Sequence, residues 1–381
     1  MSLYNDVQQA FDASYNSPPT AIVRAPGRVN LIGEHTDYND GFVMPMAINR
    51  AVWIALRPRN DQRVHIKSLD FPDAIDIDLA HLEKAKASPT EYVKGVAWAL
   101  QSAGYALQGF DGVMKGDVPI GAGLSSSAAL ELATARAFAH VSGWEWSASA
   151  MALLAQKAEN QWVGVNSGIM DQMISAAGQA GHALLIDCRS LVGDPVPLPD
   201  HTAIIVLDTG TRRELVTSAY NERRQQCEAA ARHFGVPALR DVSIDAFHAG
   251  KAGLQDVTRR RARHIVTENQ RVLDARTAMR ANDPQALGDL MQASHVSLRD
   301  DFEVSSDALD SIVAIANAHD ACYGARMTGA GFGGCAVALI ADGAVDDFVA
   351  TVSQQYTTAT PHTPAIYVCE ATAGAELLMV E

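Results

Sequence analysis

The chain has 381 residues and a net charge of −14, from 30 basic and 44 acidic side chains. Hydrophobic residues make up 48% and charged residues 19%, which is typical of a globular protein of about two domains and excludes wholesale disorder. The negative charge disfavours a general electrostatic attraction to nucleic acid or anionic lipid, so we expect neither as a partner.

The five cysteines are scattered and form no C-x-x-C pair, which favours reduced thiols over a zinc or redox motif. The longest apolar runs, such as 203–207 and 335–341, have strand length and are too short to cross a membrane. The first residues lack a basic region followed by an apolar core, so we expect no signal peptide. These features predict a cytoplasmic protein.

The first half of the chain predicts a mixture of helices and strands. Val7, Phe11 and Tyr15 recur every four residues, which predicts a short amphipathic helix. Apolar and β-branched runs predict strands at 21–25, 51–56, 63–66 and 110–118. Helical patterns predict three further helices, one capped by Thr90, one at 126–139 and one at 147–162.

In the second half, short strands at 183–186 and 203–207 flank a polar, proline-containing stretch, 190–202. We place the boundary there, between a first domain (1–190) and a second domain (191–381). Later patterns predict helices at 215–234, 263–279, 287–294, 309–318 and 345–355, and strands at 335–341 and 366–368. Because helices and strands mix without a strict βαβ rhythm, the expected class is α+β.

A turn rich in glycine and serine precedes the helix predicted at 126–139, in the sequence Gly121-Ala-Gly-Leu-Ser-Ser-Ser127. Glycines let backbone N–H groups approach an anion, the free N–H groups of a helix start complete such a site, and serine hydroxyls can bind Mg²⁺. The turn is not a P-loop, because G-K-[ST] is missing. It is a candidate phosphate-binding loop, with a serine-capped helix as the simpler alternative.

The segment 24–41 concentrates hydrogen-bonding side chains near turn glycines: Arg28, Glu34, His35, Asp37 and Asp40. Such a set is what a polyol ligand needs, since each buried hydroxyl requires a partner. One histidine among carboxylates also leaves a metal site open, and a solvated loop is a third interpretation. The intervening apolar residues favour a partly buried segment.

Two further segments could take part in chemistry. Glu159 lies late in the predicted helix 147–162, and Asp171 stands among apolar residues, where a buried carboxylate needs a cation such as Arg28 or a metal ion. A helix cap or a structural ion pair is the alternative for Asp171. The glycine-rich sequence 328–334 predicts either a hairpin turn or backbone that closes over a phosphate.

Together these segments resemble the galactokinase family, within the superfamily that also includes homoserine, mevalonate and phosphomevalonate kinases. Gly123-Leu-Ser-Ser-Ser-Ala128 and Thr328-Gly-Ala-Gly-Phe-Gly-Gly334 are similar to motifs of that superfamily, and Gly27-Arg-Val-Asn-Leu-Ile-Gly-Glu-His-Thr-Asp-Tyr38 is similar to the galactokinase signature. The resemblance extends over about residues 21–370. It implies a two-domain small-molecule kinase of α+β fold with its active site in the cleft between the domains.

The resemblance also implies individual roles. Asp171 would face the anomeric hydroxyl of the sugar, Arg28 would pair with it, and Ser127 and Glu159 would hold Mg²⁺ as the cofactor. Sugar contacts are implied for Glu34, His35, Thr36, Asp37, Gly168 and Tyr220. Nucleotide contacts are implied for Ser68, Gly121, Ala122, Gly123, Leu124, Ser125, Ser126 and Ser127. Ala330 and Ser167 stand where many members have glycine and cysteine. Because alanine rarely adopts a positive φ, Ala330 argues against that conformation at its position.

The implied activity is transfer of the γ-phosphate of ATP to the anomeric hydroxyl of D-galactose. A kinase for another sugar, such as N-acetylgalactosamine or arabinose, is one alternative. A ligand sensor on the same fold is another, which the complete sequence Ser125-Ser-Ser-Ala-Ala129 and the presence of Asp171 disfavour. The expected partners are the small molecules ATP and D-galactose, with no nucleic acid, membrane or obligate protein partner.

Overall fold

A computed structural model describes residues 2–86, 88–212 and 216–380, and it mixes helices and strands in both halves, which confirms the α+β class. The helices are α1 (Leu3–Tyr15), α2 (Pro89–Ser102), α3 (Ser126–Ser142), α4 (Ala148–Lys157), α5 (Met170–Ala177), α6 (Val216–Phe234), α7 (Ile244–Gly250), α8 (Asp256–Arg280), α9 (Pro284–Ser297), α10 (Asp307–Asn317) and α11 (Val345–Ala359). The strands are β1 (Ala21–Asn30), β2 (Phe42–Val43), β3 (Pro45–Pro58), β4 (Arg63–Ser68), β5 (Ile75–Asp78), β6 (Phe110–Gly116), β7 (His182–Asp187), β8 (Val192–Pro197), β9 (Thr202–Asp208), β10 (Cys322–Met327), β11 (Cys335–Ala341), β12 (Ala365–Cys369) and β13 (Glu376–Met379). Two π-helical turns, Ala158–Val163 and Leu298–Phe302, continue α4 and α9.

The strands form three sheets. The largest has the order β13-β1-β3-β6-β4-β5, with antiparallel pairs except for the parallel pair of β4 and β6. The second has the order β10-β11-β9-β12 and the third the order β2-β7-β8. Because β13 pairs with β1, the last described strand returns to the sheet in which the chain begins.

The strand β1 brings the first site residues into the protein interior. All its residues are buried, and its pairing with β3 shifts between Pro26 and Arg28, which marks a β-bulge. The predicted strand 21–25 therefore continues past Pro26. A Cβ at Gly27 would lie 2.6 Å from the carbonyl oxygen of Leu124, so glycine is required where the candidate phosphate loop packs on this strand.

The helix α3 lies at the centre of the first half. Nearly all of its circumference is buried, and it packs against β1, β3, α2 and α5. A helix that is apolar all round is typical of a fully enclosed position, and its many alanines let these neighbours approach closely. Since α3 begins directly after the candidate phosphate loop, this packing fixes the helix N-terminus against the loop.

The sheet of the second half joins two apolar cores through its two faces. Ile205 and Leu207 of β9 belong to the core formed with the helices of the second half. The alternate residues Ile204 and Val206 belong to the core that continues through the first half. This alternation follows from the two-residue period of a strand. The two halves therefore share packed apolar surface, while their division at residues 190–191, which falls between the paired strands β7 and β8, stays a prediction.

Two local predictions are wrong. Thr90 does not cap α2, because the helix begins at Pro89 after Ser88, and proline suits a first turn that does not need its N–H group. The polar stretch 190–202 contains the strand β8, which the prolines did not allow us to predict. The helix predicted at 215–234 is present from Val216, and residue 215 lies outside the described residues.

Within the described parts of the chain, no helix combines the length and the apolar character that crossing a membrane requires.

Candidate active site

Arg28 and Asp171 form the ion pair around which the candidate site is arranged. The Nε and Nη2 atoms of Arg28 each donate to one carboxylate oxygen of Asp171 at 2.8 Å, and Nη1 donates to the Gly123 carbonyl oxygen at 2.5 Å. Arg28 comes from β1, and Asp171 lies in the first turn of α5. Because a guanidinium bound to both oxygens fixes a carboxylate in position and in orientation, one side chain holds the strand, the loop and the helix together.

The candidate phosphate loop presents its backbone in an unusual conformation. Gly121 and Gly123 have φ values of 70° and 83°, and Ser125 has a φ of 59°, which is uncommon for a residue other than glycine. The Ser125 hydroxyl donates to Asp171 and does not cap α3. The leading N–H groups of α3 are therefore not capped by this side chain, and such groups attract anions.

Glu159 is a buried carboxylate close to Ser127. Its Oε2 atom accepts hydrogen bonds from the Ser167 hydroxyl and, at 2.9 Å, from Gln172 Nε2. Burial raises the pKa of Glu159, and hydrogen bonds from Ser167, Gln172 and Ser127 act in the opposite direction. Among the described residues, no lysine or arginine is paired with this carboxylate. Glu159 thus offers buried carboxylate oxygens that no cationic side chain of the described residues neutralises.

A polar cavity of about 200 Å³ lies beside the ion pair. It brings together predicted site residues that are distant in the sequence. Its lining includes Arg28, Glu34, His35, Asp37, Glu159, Gly168, Asp171 and Tyr220. The cavity is small enough to enclose a single sugar ring and offers donors and acceptors from several directions.

Two of the predicted sugar contacts already bind protein groups. Glu34 is buried and accepts hydrogen bonds from four protein donors: Asn30 Nδ2, Arg326 Nη2, Thr328 Oγ1 and Gly329 N. The Thr36 hydroxyl lies 2.8 Å and 2.6 Å from the carbonyl oxygens of Gly33 and Phe42, and it does not line the cavity. Thr36 therefore shapes the turn, whereas Glu34 both lines the cavity and connects it to the segment 328–334.

Aromatic rings form one wall of the polar cavity. The ring of His35 lies 5.5 Å from that of Tyr220 and 4.8 Å from that of Phe302, between centroids, and its Nδ1 atom is 2.9 Å from the Tyr38 hydroxyl. Burial lowers the pKa of His35 to about 3, so the imidazole is neutral at pH 7. Its Nε2 atom is buried and has no hydrogen-bond partner among the described residues. A ligand hydroxyl would supply the missing partner.

Gly168 and Asp37 meet at the edge of the same cavity. A Cβ on Gly168 would lie 1.8 Å from an Asp37 carboxylate oxygen, so any larger residue would displace the carboxylate. Burial, followed by the nearby charge of Asp171, raises the pKa of Asp37 to about 6. Asp37 is thus held in a confined and electrostatically unfavourable position, which is typical of a functional carboxylate.

A second cavity, of about 500 Å³, adjoins Ser126 and Ser127. Its walls are mainly apolar side chains, among them Val52, Phe71, Tyr92, Met114, Val118 and Leu130. An apolar cavity beside a phosphate loop suits a planar nucleotide base. Ser68 is not part of its lining. The Ser68 hydroxyl accepts hydrogen bonds from the N–H groups of Asp70 and Phe71 at 3.2 Å and 3.1 Å, so it acts on the cavity through the turn that holds Phe71.

The segment 328–334 is a hairpin turn between β10 and β11 that also lies against the candidate phosphate loop. A Cβ on Gly329 would lie 3.2 Å from the Gly123 carbonyl oxygen. Ala330 is not among the residues with positive φ, so alanine needs no unusual conformation there.

Arg212, which sequence reasoning missed, lines a cavity of about 310 Å³ next to the segment 328–334. It donates two hydrogen bonds to Asp208, at 2.8 Å and 2.7 Å.

Sequence reasoning also missed a polar contact beneath the ion pair. Glu131 and Gln172 are fully buried, and Gln172 Nε2 donates to Glu131 at 3.1 Å. From the sequence, roles are predicted for Ser127 and Asp171 on the same two helices, but not for Glu131 or Gln172.

The alternative of a zinc-like site in 24–41 finds no support, because the described residues contain no group of three or more histidine, cysteine or acidic side chains arranged around a metal position.

The fold and the site define a small-molecule kinase of the superfamily named GHMP. Family models match as the galactokinase galactose-binding signature at residues 9–58, the GHMP kinase N-terminal domain at 91–179 and the GHMP kinase C-terminal domain at 275–357. The chain belongs to the galactokinase family, whose members are ATP-dependent sugar kinases.

The similarity to individual galactokinases extends over nearly the whole chain. Galactokinases of Roseiflexus sp. (strain RS-1) and Chloroflexus aurantiacus (strain ATCC 29366 / DSM 635 / J-10-fl) are each 48% identical, over 98% and 96% of this chain and 97% and 95% of theirs. The crystal structure of Lactococcus lactis galactokinase complexed with galactose has a TM-score of 0.93 at 35% identity, over 98% of this chain and 100% of that one. A mevalonate kinase, at a TM-score of 0.65 and 17% identity over 94% of this chain and 99% of that one, shares the fold.

The raised pKa of Asp37 predicts a pH-dependent gain in stability for Asp37→Asn. Because the pKa of Asp37 is about 6 in the folded protein and about 4 in the unfolded chain, ionisation of this carboxyl group lowers the free energy of unfolding as the pH rises from about 4 through about 6. The neutral amide avoids that loss, so the free energy of unfolding near pH 7.5 should exceed that of the wild type by up to about 3 kcal/mol. Urea unfolding at about pH 7.5 and about pH 4 measures both values.

The matched control is Asp40→Asn, in the same turn, where the carboxylate is exposed and pairs with Arg189. This control should show no comparable gain at neutral pH. The stability difference for Asp37→Asn should shrink toward pH 4. A loss of stability at pH 7.5 would contradict the assigned electrostatic penalty.

Proposed function

We propose that the chain transfers the γ-phosphate of ATP to the anomeric hydroxyl of D-galactose, giving α-D-galactose 1-phosphate and ADP, with Asp171 and Arg28 as the catalytic residues. The observation that carries this assignment is the position of their ion pair. Both residues line the polar cavity, and Arg28 also binds Gly123 in the phosphate loop. A carboxylate next to the acceptor and a cation next to the donor are what phosphoryl transfer requires. The complex of the L. lactis relative with galactose supports this sugar as the acceptor.

ATP would bind along the loop between the two cavities. The base would occupy the apolar cavity of about 500 Å³ next to Ser126 and Ser127. The phosphates would bind the backbone N–H groups of residues 121–127 and the N-terminus of α3. This arrangement places the terminal phosphate toward Arg28, whose guanidinium lies between the loop and Asp171.

The sugar would bind in the polar cavity of about 200 Å³. Direct contacts are proposed for His35, Asp37, Gly168 and Tyr220, and a further contact for Glu34, whose lone pairs are shared with protein donors. Thr36 would contribute through its backbone and the shape of the turn. The neutral His35 ring can accept or donate a hydrogen bond to a hydroxyl, depending on its tautomer.

The residues present fit Mg²⁺. Ser127 and Glu159 offer hard oxygen ligands beside the phosphate loop, and Glu159 is a buried carboxylate with no cationic partner in the described parts of the chain. Mg²⁺ at nucleotide sites commonly takes only one or two protein ligands and completes its shell with phosphates and water. Bound between these residues, Mg²⁺ would offset the negative charge of the phosphates.

In the proposed reaction the anomeric oxygen forms a bond to the γ-phosphorus, and the bond from that phosphorus to the bridging oxygen of ADP breaks. The anomeric proton passes to Asp171. Arg28 keeps the Asp171 carboxylate in place with two hydrogen bonds and stabilises charge on the transferring group. Binding of the sugar in this small cavity would displace water from the reacting groups.

Asp171→Asn should reduce kcat by at least about 100-fold while galactose binding changes little, because an amide keeps the shape of the side chain but accepts no proton. Steady-state kinetics and calorimetric galactose binding measure the two effects. Asp208→Asn, which removes a carboxylate bound to Arg212 outside the polar cavity, is the comparison variant. Activity of Asp171→Asn within a few-fold of the wild type would remove Asp171 from proton transfer.

Glu159→Gln and Ser127→Ala should each raise the Mg²⁺ concentration that gives half-maximal rate, while the KM for galactose stays within about threefold. Each change removes a charge or an oxygen ligand at the proposed metal position. Rates measured across a Mg²⁺ series at saturating ATP and galactose provide the test. A rise in the galactose KM with an unchanged Mg²⁺ requirement would show that the metal assignment is incorrect.

Galactose should be phosphorylated far better than glucose, because these sugars differ only in the orientation of the 4-hydroxyl and a desolvated polar cavity rejects a mispaired hydroxyl. Asp37→Ala should lower kcat/KM for galactose by roughly 10–100-fold, as expected for a lost charged hydrogen bond of about 1.5–3 kcal/mol, and Tyr220→Phe should lower it less. A panel that includes glucose, N-acetylgalactosamine and arabinose measures the preference. Equal use of galactose and glucose by the wild type would refute the proposed acceptor.

A further inference from the structure

A buried polar bridge lies beneath the proposed catalytic residues. Glu131 of α3 and Gln172 of α5 are both 0% exposed. Gln172 Nε2 donates to Glu131 Oε2 at 3.1 Å and to Glu159 Oε2 at 2.9 Å. Because an amide nitrogen carries two hydrogens, these two bonds use its full donor capacity and fix the plane of the amide.

The bridge connects the three elements that carry the proposed reaction. Glu131 lies one helical turn after Ser127 on α3, Gln172 directly follows Asp171 on α5, and Glu159 belongs to the π-helical turn Ala158–Val163. A π-helical turn breaks the regular hydrogen-bond pattern of a helix and is often found at functional positions. The bridge therefore links the Glu159 carboxylate to both of the other two elements.

The bridge is costly in terms of stability. Glu131 Oε1 and Gln172 Oε1 are buried and have no hydrogen-bond partner among the described residues. Burial, followed by the charge of Glu159, raises the pKa of Glu131 well above its ordinary range. An apolar side chain would fill the same space in α3 without this cost. Packing alone does not account for a carboxyl group at this position, whereas its contact with the Gln172 amide does.

We propose that Glu131 and Gln172 are positioning residues that orient the Glu159 carboxylate for the divalent cation. This proposal rests on the Mg²⁺ position proposed above. Without the amide, Glu159 would keep its hydrogen bonds from Ser167 and Ser127 but would lose the bond to Gln172 of α5 and, through Gln172, its link to Glu131. Side chains that hydrogen-bond to a metal ligand typically change metal affinity or activity by roughly 10–100-fold when they are removed.

The test uses Mn²⁺ as a probe for the divalent cation, bound to the full-length enzyme with ADP and followed by the electron paramagnetic resonance signal of free Mn²⁺. Gln172→Met and Glu131→Met keep the side-chain volume but remove the bridge. Both should weaken Mn²⁺ binding by about 10-fold or more. Glu131→Gln keeps an oxygen at the position that accepts from Gln172, so it should bind Mn²⁺ within about threefold of the wild type.

Thr134→Val is the matched control, because Thr134 is fully buried on α3 and, within the described parts of the chain, its hydroxyl bonds only to the helix carbonyl of Leu130. It should leave Mn²⁺ binding unchanged. Galactose binding, measured by calorimetry, should change less than about threefold in all four variants. A loss of Mn²⁺ affinity without a loss of galactose affinity is not expected from a general loss of packing. If Gln172→Met does not fold, the comparison of Glu131→Met with Glu131→Gln provides the same test.

Several outcomes would overturn the proposal. Unchanged Mn²⁺ affinity in Gln172→Met and Glu131→Met, together with a loss in Glu159→Gln, would refute the bridge but leave the metal position intact. Unchanged affinity in Glu159→Gln as well would refute the metal position itself. Equal losses in Thr134→Val, or parallel losses of galactose and Mn²⁺, would show that the variants act through packing.

Discussion

The bulge in β1 is the constraint on which the site depends. It shifts the register against β3 between Pro26 and Arg28, and the Arg28 N–H donates to the Leu124 carbonyl oxygen. It also brings Gly27 so close to Leu124 that a Cβ would meet the loop backbone. Arg28 then reaches the loop through Gly123 and α5 through Asp171. A strand, a loop and a helix that are distant in the sequence are thus held by one side chain and one close backbone contact. Since such contacts in a packed interior tolerate little displacement, the distance from acceptor site to phosphate loop is fixed by the core of the first half.

Several acidic side chains around the ion pair of Arg28 and Asp171 are buried close to one another, and their pKa values reflect the electrostatic cost. Asp37, Glu131, Glu159 and Asp171 approach one another, and burial raises the pKa of the first three. Arg28 neutralises Asp171, and the described residues provide no arginine or lysine for Glu159. A protein built for stability alone would place apolar side chains at these positions. Their presence is the expected signature of a site whose charge balance is completed by ligands.

The sequence allowed much of the site to be predicted, but less of its supporting structure. The motifs at 27–38 and 121–127 are continuous in the sequence, and their glycine and serine pattern has a local physical meaning, so their placement around a cavity could be anticipated. The helix at 126–139 was evident from its small apolar residues. The strand β8 could not be predicted, because its prolines and polar residues give no strand signal and its formation depends on pairing with β7. Glu131 and Gln172 interact across two helices, and no spacing within either helix reveals that contact.

The two cavities divide recognition between different kinds of interaction. The cavity next to Ser126 is walled mainly by apolar side chains, which contribute affinity in proportion to buried area but little directional preference. The polar cavity is also lined by ionisable side chains, some of which are fixed by further protein contacts, such as Glu34 through Arg326 and Gly329. Directional hydrogen bonds discriminate between epimers, whereas apolar burial does not. Acceptor selectivity is therefore expected to reside in the segment 34–37 and its neighbours. The energetic cost of this arrangement is seen in the raised pKa of Asp37 and in His35 Nε2, which has no hydrogen-bond partner among the described residues.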